Sequence, residues 1–209
     1  MTLNRRLLIA TTNPHKVEEF RQLLADAPFT MTSLSDLGVT QEIEETGETF
    51  EANAILKAVG YADVTGLLTL ADDSGLEIDA LDGAPGVYSA RWAGPEVTYE
   101  TRNRLIVERL AGLPDAQRGA RYRCSIALAL PAPRGLVDVV DGTLEGLIAT
   151  RPAGHGGFGY DPIFYVPEQR RTVGQMTADE KHRISHRARA ARAALPILKR
   201  LASEEHIPA

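Results

Sequence analysis

Leu7-Leu-Ile-Ala-Thr-Thr-Asn-Pro-His-Lys16 is an apolar run that passes directly into a polar loop, and the loop already carries the start of a helix. Leu7 to Ala10 reads as a short buried strand. Asn13 can cap the following helix, and Pro14 suits its first turn, where a fixed φ fits and the missing N–H is not needed. Val17, Phe20, Leu23 and Leu24 then fall on one helical face, with Glu18, Glu19 and Arg21 left to solvent, so this helix covers a sheet. Outward from this unit, Phe29 to Leu34 reads as a second strand. Thr46-Gly-Glu-Thr49 opens a helix whose face carries Phe50, Ala54, Ala58 and Tyr61, with Asn53 and Lys57 four apart on it. Leu67 to Ala71 reads as a buried strand that ends abruptly at Asp72-Asp-Ser-Gly75, after which Leu76 to Leu81 alternates like a half-exposed strand. Asp82-Gly-Ala-Pro-Gly86 is turn chemistry, and Thr98 to Leu110 reads as a helix. Tyr122 to Leu130 and Leu136 to Ile148 read as strands joined in a hairpin around Pro131-Ala-Pro-Arg-Gly135. Thr177-Ala-Asp-Glu180 fits a capping box, and Ile184, Ala188, Leu195 and Leu198 mark out one long terminal helix. Helices alternate with strands first, and strands cluster afterwards. That order predicts an α/β layered fold with a mixed sheet, arranged as two lobes with a cleft. No repeat or flexible linker interrupts residues 1–209, which read as one domain.

The 209 residues are 44% hydrophobic and 24% charged, the composition of a soluble globular chain long enough to bury its own core. Lys and Arg number 23 against 28 Asp and Glu, a net charge of −5 that argues against a stable complex with nucleic acid. A polyanionic ligand must be small and met locally. Cys124 is the only cysteine, which rules out an internal disulfide and Cys-rich zinc sites and fits a reducing cytoplasm. The apolar run after Met1 stops within about four residues, short of a signal peptide's roughly seven, and reads as strand. No uncharged apolar run approaches the ~18 residues of a membrane span.

Four polar clusters carry the chemistry. In Thr11-Thr-Asn-Pro-His-Lys16, hydroxyls, an amide, helix-start N–H groups and an ammonium converge after a strand. The cluster is either an anion site or a capped helix with a surface lysine, and the glycines of a P-loop are absent. Glu44, Glu45, Asp72 and Asp73 could hold a hard divalent cation, since Mg²⁺ takes a few carboxylates plus water and phosphate oxygens. The two aspartates could instead cap a turn before Gly75. If the strand extended through them, they would face opposite ways and only one could face the site. Gly154-His-Gly-Gly-Phe-Gly159 contains G-x-G-x-x-G, but Tyr160-Asp-Pro162 follows where a dinucleotide fold needs a helix. Either a flexible backbone beside Phe158 meets a flat ligand, or a hairpin loop buries Phe158 in the core. Lys181-His-Arg-Ile-Ser-His-Arg187 lies in a stretch from Arg170 to Arg200 with about nine basic residues against Asp179 and Glu180. His182 and His186 lack the glutamate of a zinc H-E-x-x-H, and Arg189, Arg192, Lys199 and Arg200 read as an exposed basic face.

Taken in order, Ala10 to Lys16, Glu45 to Phe50, Asn53 to Ala58, Ala71 to Leu76, Gly83 to Arg91, Gly156 to Pro162 and Ser185 to Arg187 resemble the noncanonical purine nucleoside triphosphate pyrophosphatases over nearly the whole chain. The resemblance implies hydrolysis of inosine, deoxyinosine and xanthosine triphosphates to monophosphate and pyrophosphate, with Mg²⁺. It also implies an elongated two-lobed fold with a long curved mixed β-sheet flanked by helices, a nucleotide cleft between the lobes, and a homodimer. By the same resemblance Thr11, Thr12, Asn13, Pro14, His15 and Lys16 form the triphosphate loop, and Lys57 adds charge near the phosphates. Glu45 and Asp73 resemble the metal site, Asp73 the proton acceptor for the attacking water, and Ser74 a substrate contact. Phe158, Gly159, Tyr160 and Asp161 resemble the nucleoside loop, with Phe158 stacking on the base, and Lys181, His186 and Arg187 complete the pocket. Arg91 matches a motif arginine that could serve phosphate, lobe packing or the dimer. His15 and His155 depart from the pattern without breaking it, and His15 and His182 read as surface residues. Two other functions compete: a related pyrophosphatase preferring modified pyrimidines, and a non-catalytic nucleotide- or single-strand-binding module built on the basic C-terminal helix.

Overall fold

A computed structural model describes residues 5–204. Seven strands form one mixed sheet in the order β2-β1-β3-β4-β5-β6-β7: β1 (Arg6–Ile9), β2 (Thr30–Ser33), β3 (Leu68–Ile78), β4 (Gly119–Leu130), β5 (Gly135–Ile148), β6 (Phe164–Val166) and β7 (Arg171–Thr172). β1 pairs in parallel with β2, Leu7 opposite Met31, and with β3, Leu7 opposite Leu68. β6 is antiparallel to both β5 and β7. β4 and β5 are neighbours joined by four residues, a connection only a hairpin can make. The helices are α1 (Pro14–Leu23), α2 (Phe50–Thr65), α3 (Tyr99–Arg109), α4 (Ala178–Ile184) and α5 (His186–Ala202).

The chain divides into two compact units. The first holds residues up to Asp73, Cys124–Gly142 and residues from Ala188; the second holds Ser74–Arg123 and Thr143–Arg187. Each has its own core. In the first, alternation along β1 sends Leu7 and Ile9 to one face, against Phe20 of α1, Leu24 at its C-terminal cap, and Ala191, Ala194 and Leu198 of α5. Leu8 and Ala10 go to the other, against Ala54, Ala58 and Tyr61 of α2. The two apolar faces read for α1 and α2 are therefore the buried ones. In the second unit, Leu76 and Ile78 of β3, Ile106 of α3 and Leu110 at its C-terminal cap, Tyr122 of β4, Ile148 of β5 and Phe164 of β6 pack together.

Two expectations need correction. β3 does not stop at Asp72 but runs unbroken through Asp72-Asp-Ser-Gly75 to Ile78, so these residues form no capped turn. Aspartate is a poor strand residue, and here ion pairs from other elements override that preference. Nor is the terminal helix continuous. α4 begins on the capping box of Thr177 and Glu180 and ends at Ser185, whose backbone is extended at φ −64° and ψ 154°. Residue 186 starts a new helix, so His186 and Arg187 lie in a first turn.

Candidate active site

In the first unit, the loop after β1 is shaped by its own side chains. The Asn13 Oδ1 accepts the His15 N–H at 2.9 Å, the Thr11 Oγ1 accepts the Asn13 N–H at 3.2 Å, and Pro14 fills the first helical position. Thr12, Pro14 and His15 are exposed, Thr11 and Asn13 half-buried. Lys16 is not a surface lysine: its Nζ is 2.9 Å from Asp72 Oδ2, and the aspartate side chain is fully buried.

A second cluster centres on Asp73. α2 presents Asn53 and Lys57 one turn apart, and the Asn53 Nδ2 donates to Asp73 Oδ2 at 3.1 Å while its Oδ1 accepts the Gly47 N–H at 2.8 Å. Lys57 Nζ donates to Glu45 Oε1 at 2.6 Å and lies 3.7 Å from Asp73 Oδ1. One ammonium thus draws Glu45 and Asp73 together, while Glu44 stays exposed. Burial pushes the Asp73 carboxyl above its ordinary value, against the pull of Lys57 and Lys16. For Lys57, burial opposes the charge, but Asp73, Asp72 and Glu45 outweigh it and hold the ammonium above its ordinary value. Asp72 and Asp73 are consecutive strand residues: Asp72 pairs with Lys16, while Asp73 accepts from Asn53 and lies beside Lys57 and its partner Glu45. Among the described residues no three His, Cys, Asp or Glu side chains gather as a metal cage. The two carboxylates fit Mg²⁺, which takes one or two protein carboxylates and fills its other positions with water and phosphate oxygens.

In the second unit, the glycine-rich loop joins β5 to β6 and opens no helix. Gly157 has φ +71°, and a Cβ there would stand 2.0 Å from Asp161 Oδ2, so only glycine lets that carboxylate approach. Asp161 is buried and accepts three donors: the Phe158 N–H at 2.9 Å and Lys181 Nζ at 2.9 Å on Oδ2, and the Tyr122 hydroxyl at 3.1 Å on Oδ1. Phe158 is half-buried rather than in the core, with Lys181 Nζ 4.5 Å and the Arg187 guanidinium 5.7 Å from its ring centre. Arg187 donates to the Ser74 Oγ at 2.8 Å. His186 is buried and stacks on Tyr122, ring centres 4.6 Å apart. Tyr160 is buried as well, donating its hydroxyl to the Ser89 carbonyl at 2.8 Å and meeting Tyr99 edge-on. The Asn103 amide of α3 donates to the Gly159 carbonyl at 3.1 Å.

The expected residues thus gather as two groups. Lys16, Glu45, Lys57 and Asp73 lie in the first, and Ser74, Phe158, Gly159, Tyr160, Asp161, Lys181, His186 and Arg187 in the second. Asp73 and Ser74 are consecutive in β3. Arg91 is exposed, its guanidinium over the Tyr88 ring at 5.1 Å. His155 is exposed, His182 half-buried, and Arg189, Arg192, Lys199 and Arg200 form an exposed basic face. Sequence reasoning gave no role to Asn53, Asn103 or Tyr122. For Asn53 the signal was present in its helical spacing from Lys57. The other two act through contacts that no local pattern announces.

The model of the Ham1 family matches residues 7–197. The chain is 46% identical over 188 residues to a dITP/XTP pyrophosphatase of Bacillus subtilis, covering 90% of this chain and 94% of that one. It is 50% identical over 187 residues to a dITP/XTP pyrophosphatase of an Exiguobacterium species, covering 90% and 93%. The solved structure of a HAM1 protein from Coxiella burnetii superposes with a TM-score of 0.85 at 41% identity, over 94% of this chain and 99% of that one. With its mixed sheet, its ordered motifs and a match spanning nearly all of its length, the chain belongs to the Ham1 family.

Proposed function

We propose that this protein hydrolyses inosine, deoxyinosine and xanthosine triphosphates to the nucleoside monophosphate and pyrophosphate, with Mg²⁺, and that residues 1–209 act as one catalytic domain. The observation that carries the reading is Asp73: a buried carboxylate, raised above its ordinary value, held by Asn53 and joined to Glu45 through Lys57. Such a group is poised to take a proton.

Lys16, Lys57 and the N–H groups at the start of α1 meet the negative charge of the triphosphate. Glu45 and Asp73 would hold the metal. Bound there, Mg²⁺ supplies Lewis-acid stabilisation of charge on the phosphoryl oxygens. Asp73 accepts the proton of the attacking water as the new P–O bond forms, and the α–β anhydride bond breaks with pyrophosphate leaving. Phe158 stacks on the base, while Lys181 and Arg187 offer donors to its 6-oxo group. Adenine presents a donor at that position, so a buried cation would be left without its acceptor, a loss that can exceed about 10⁴-fold. We extend the family resemblance to a cytoplasmic homodimer, for which light scattering of the purified protein gives the mass.

Product analysis after incubation with Mg²⁺ and inosine triphosphate, with GTP and ATP alongside, tests the reading. Pyrophosphate and monophosphate formed selectively from inosine triphosphate support it. Orthophosphate as the product, equal use of ATP, or turnover of modified pyrimidine nucleotides alone overturns it.

A further inference from the structure

Tyr122 is a β4 residue with 6% of its surface exposed, and it touches two of the groups assigned to the base without being one of them. Its hydroxyl donates to Asp161 Oδ1 at 3.1 Å. Its ring is sandwiched, with His186 at 4.6 Å and 16° on one side and Phe164 at 4.4 Å and 29° on the other. Asp161 in turn spends its second oxygen on the Phe158 N–H and on Lys181 Nζ. Phe158, Lys181 and His186 are therefore each held by Tyr122, directly or through one carboxylate.

The geometry matters because donors on both oxygens of a carboxylate constrain its plane more tightly than donors on one oxygen alone. Fixing Asp161 fixes where Lys181 points and how the Phe158 backbone presents its ring. The phenol is held as a donor, since burial and the neighbouring Asp161 carboxylate push its ionisation well above the ordinary value. Stacking on a ring that is itself immobilised by Phe164 sets the plane of the His186 imidazole.

We propose that Tyr122 is a specificity-determining positioning residue for base recognition, its hydroxyl setting Asp161, Phe158 and Lys181 and its ring setting His186. This rests on the nucleotide reading above. Tyr122 does not contact the base. Its effect falls on binding and discrimination more than on the chemical step.

Tyr122→Phe removes the hydroxyl and keeps the three-ring stack; Tyr122→Leu removes both. A lost hydrogen bond to a charged group corresponds to about tenfold or more. For Tyr122→Phe we expect KM for inosine triphosphate to rise about tenfold, kcat to fall by less than KM rises, and the preference over ATP to drop about tenfold. Calorimetric titration of the same variant with inosine monophosphate should show the same weakening without turnover. Tyr122→Leu should lose more discrimination still, and if it fails to fold, the phenylalanine variant decides alone. A Tyr122→Phe protein with unchanged KM and unchanged preference, beside a wild type that prefers inosine triphosphate, overturns this assignment and leaves the functional reading standing. A lowered melting temperature with kcat reduced and KM unchanged also overturns it, because that is the signature of a purely structural residue. A wild type that hydrolyses none of these nucleotides overturns the functional reading and this assignment with it.

Discussion

Under the proposed function, Asp73 is a residue tuned for chemistry against the interest of the fold. Its carboxyl is raised above the ordinary value first by burial, so its ionised form is the less favourable one in the folded protein. A raised acid contributes stability below its unfolded value and loses it as the pH rises through the folded value. At neutral pH the ionised group is therefore a liability. Asp73→Asn should drop kcat by about 10²-fold or more, as expected for loss of a general base, while the melting temperature stays level or rises. Pyrophosphate release and a thermal melt on the same preparation check both halves. Lys16 gives the opposite behaviour. Its ammonium pairs with Asp72, whose side chain is fully buried, so Lys16→Ala removes one partner of a buried charge and should destabilise by roughly 3 kcal/mol. Pairing it with Asp72→Asn should restore most of that stability without restoring turnover. Chemical denaturation of the two variants separates the structural role of Lys16 from its charge on the phosphates; equal stability of both would remove the ion pair from the account.

At the scale of elements, α4 carries its own electrostatic signature. Glu180 accepts Arg171 at 2.7 Å and the Thr177 N–H at 2.9 Å, and these hydrogen bonds lower its carboxyl to about 2 from an ordinary 4.5. A depressed acid contributes stability above its unfolded value and loses it as the pH falls toward the folded one. Glu180→Gln should therefore lower the melting temperature at pH 7, and the gap to wild type should close between about pH 5 and pH 2. A gap independent of pH would show that the cap acts without its charge. This box was legible in the sequence because its donors and acceptors lie within four residues, as were the Asn13 cap and the apolar faces of α1 and α2. The course of β3 was not. Asp72-Asp-Ser-Gly75 has the local chemistry of a turn, and it is strand because Lys16 and Lys57 reach it from helices distant in sequence. The break at Ser185 was hidden for a related reason: Ile184, Ala188, Leu195 and Leu198 keep helical spacing across it. Within the candidate site, the charged residues proposed to meet a ligand were legible by type and motif. Asn103 and Tyr122, whose work is to hold Gly159 and Asp161, were not.

For the molecule as a whole, the question is what holds the fold when no nucleotide or metal is bound. Each of the two units has an apolar core of its own, and β3, β4 and β5 run from one unit into the other without interruption. The carboxylates of the candidate site have cationic partners of their own, Asp72 in Lys16 and the pair of Glu45 and Asp73 in Lys57. A metal that stabilises a fold normally closes a site of four protein ligands, and no cluster of even three such side chains exists among the described residues. Under the proposed function, Lys57 would share Glu45 and Asp73 with an entering cation, and phosphate oxygens would supply further ligands. The net charge of −5 repels a triphosphate at long range, and under the proposed function local lysines and a metal carried with the nucleotide would offset it. Removing divalent cations with EDTA should then abolish turnover and leave the melting temperature unchanged. Mg²⁺ alone should raise that temperature little, whereas Mg²⁺ with inosine triphosphate or a non-hydrolysable analogue should raise it by several degrees, since only a ligand that binds the folded state stabilises it. A melting temperature that falls on EDTA treatment would place the metal in the fold itself, and Glu45 and Asp73 would then have to be joined by ligands that the apo arrangement keeps apart.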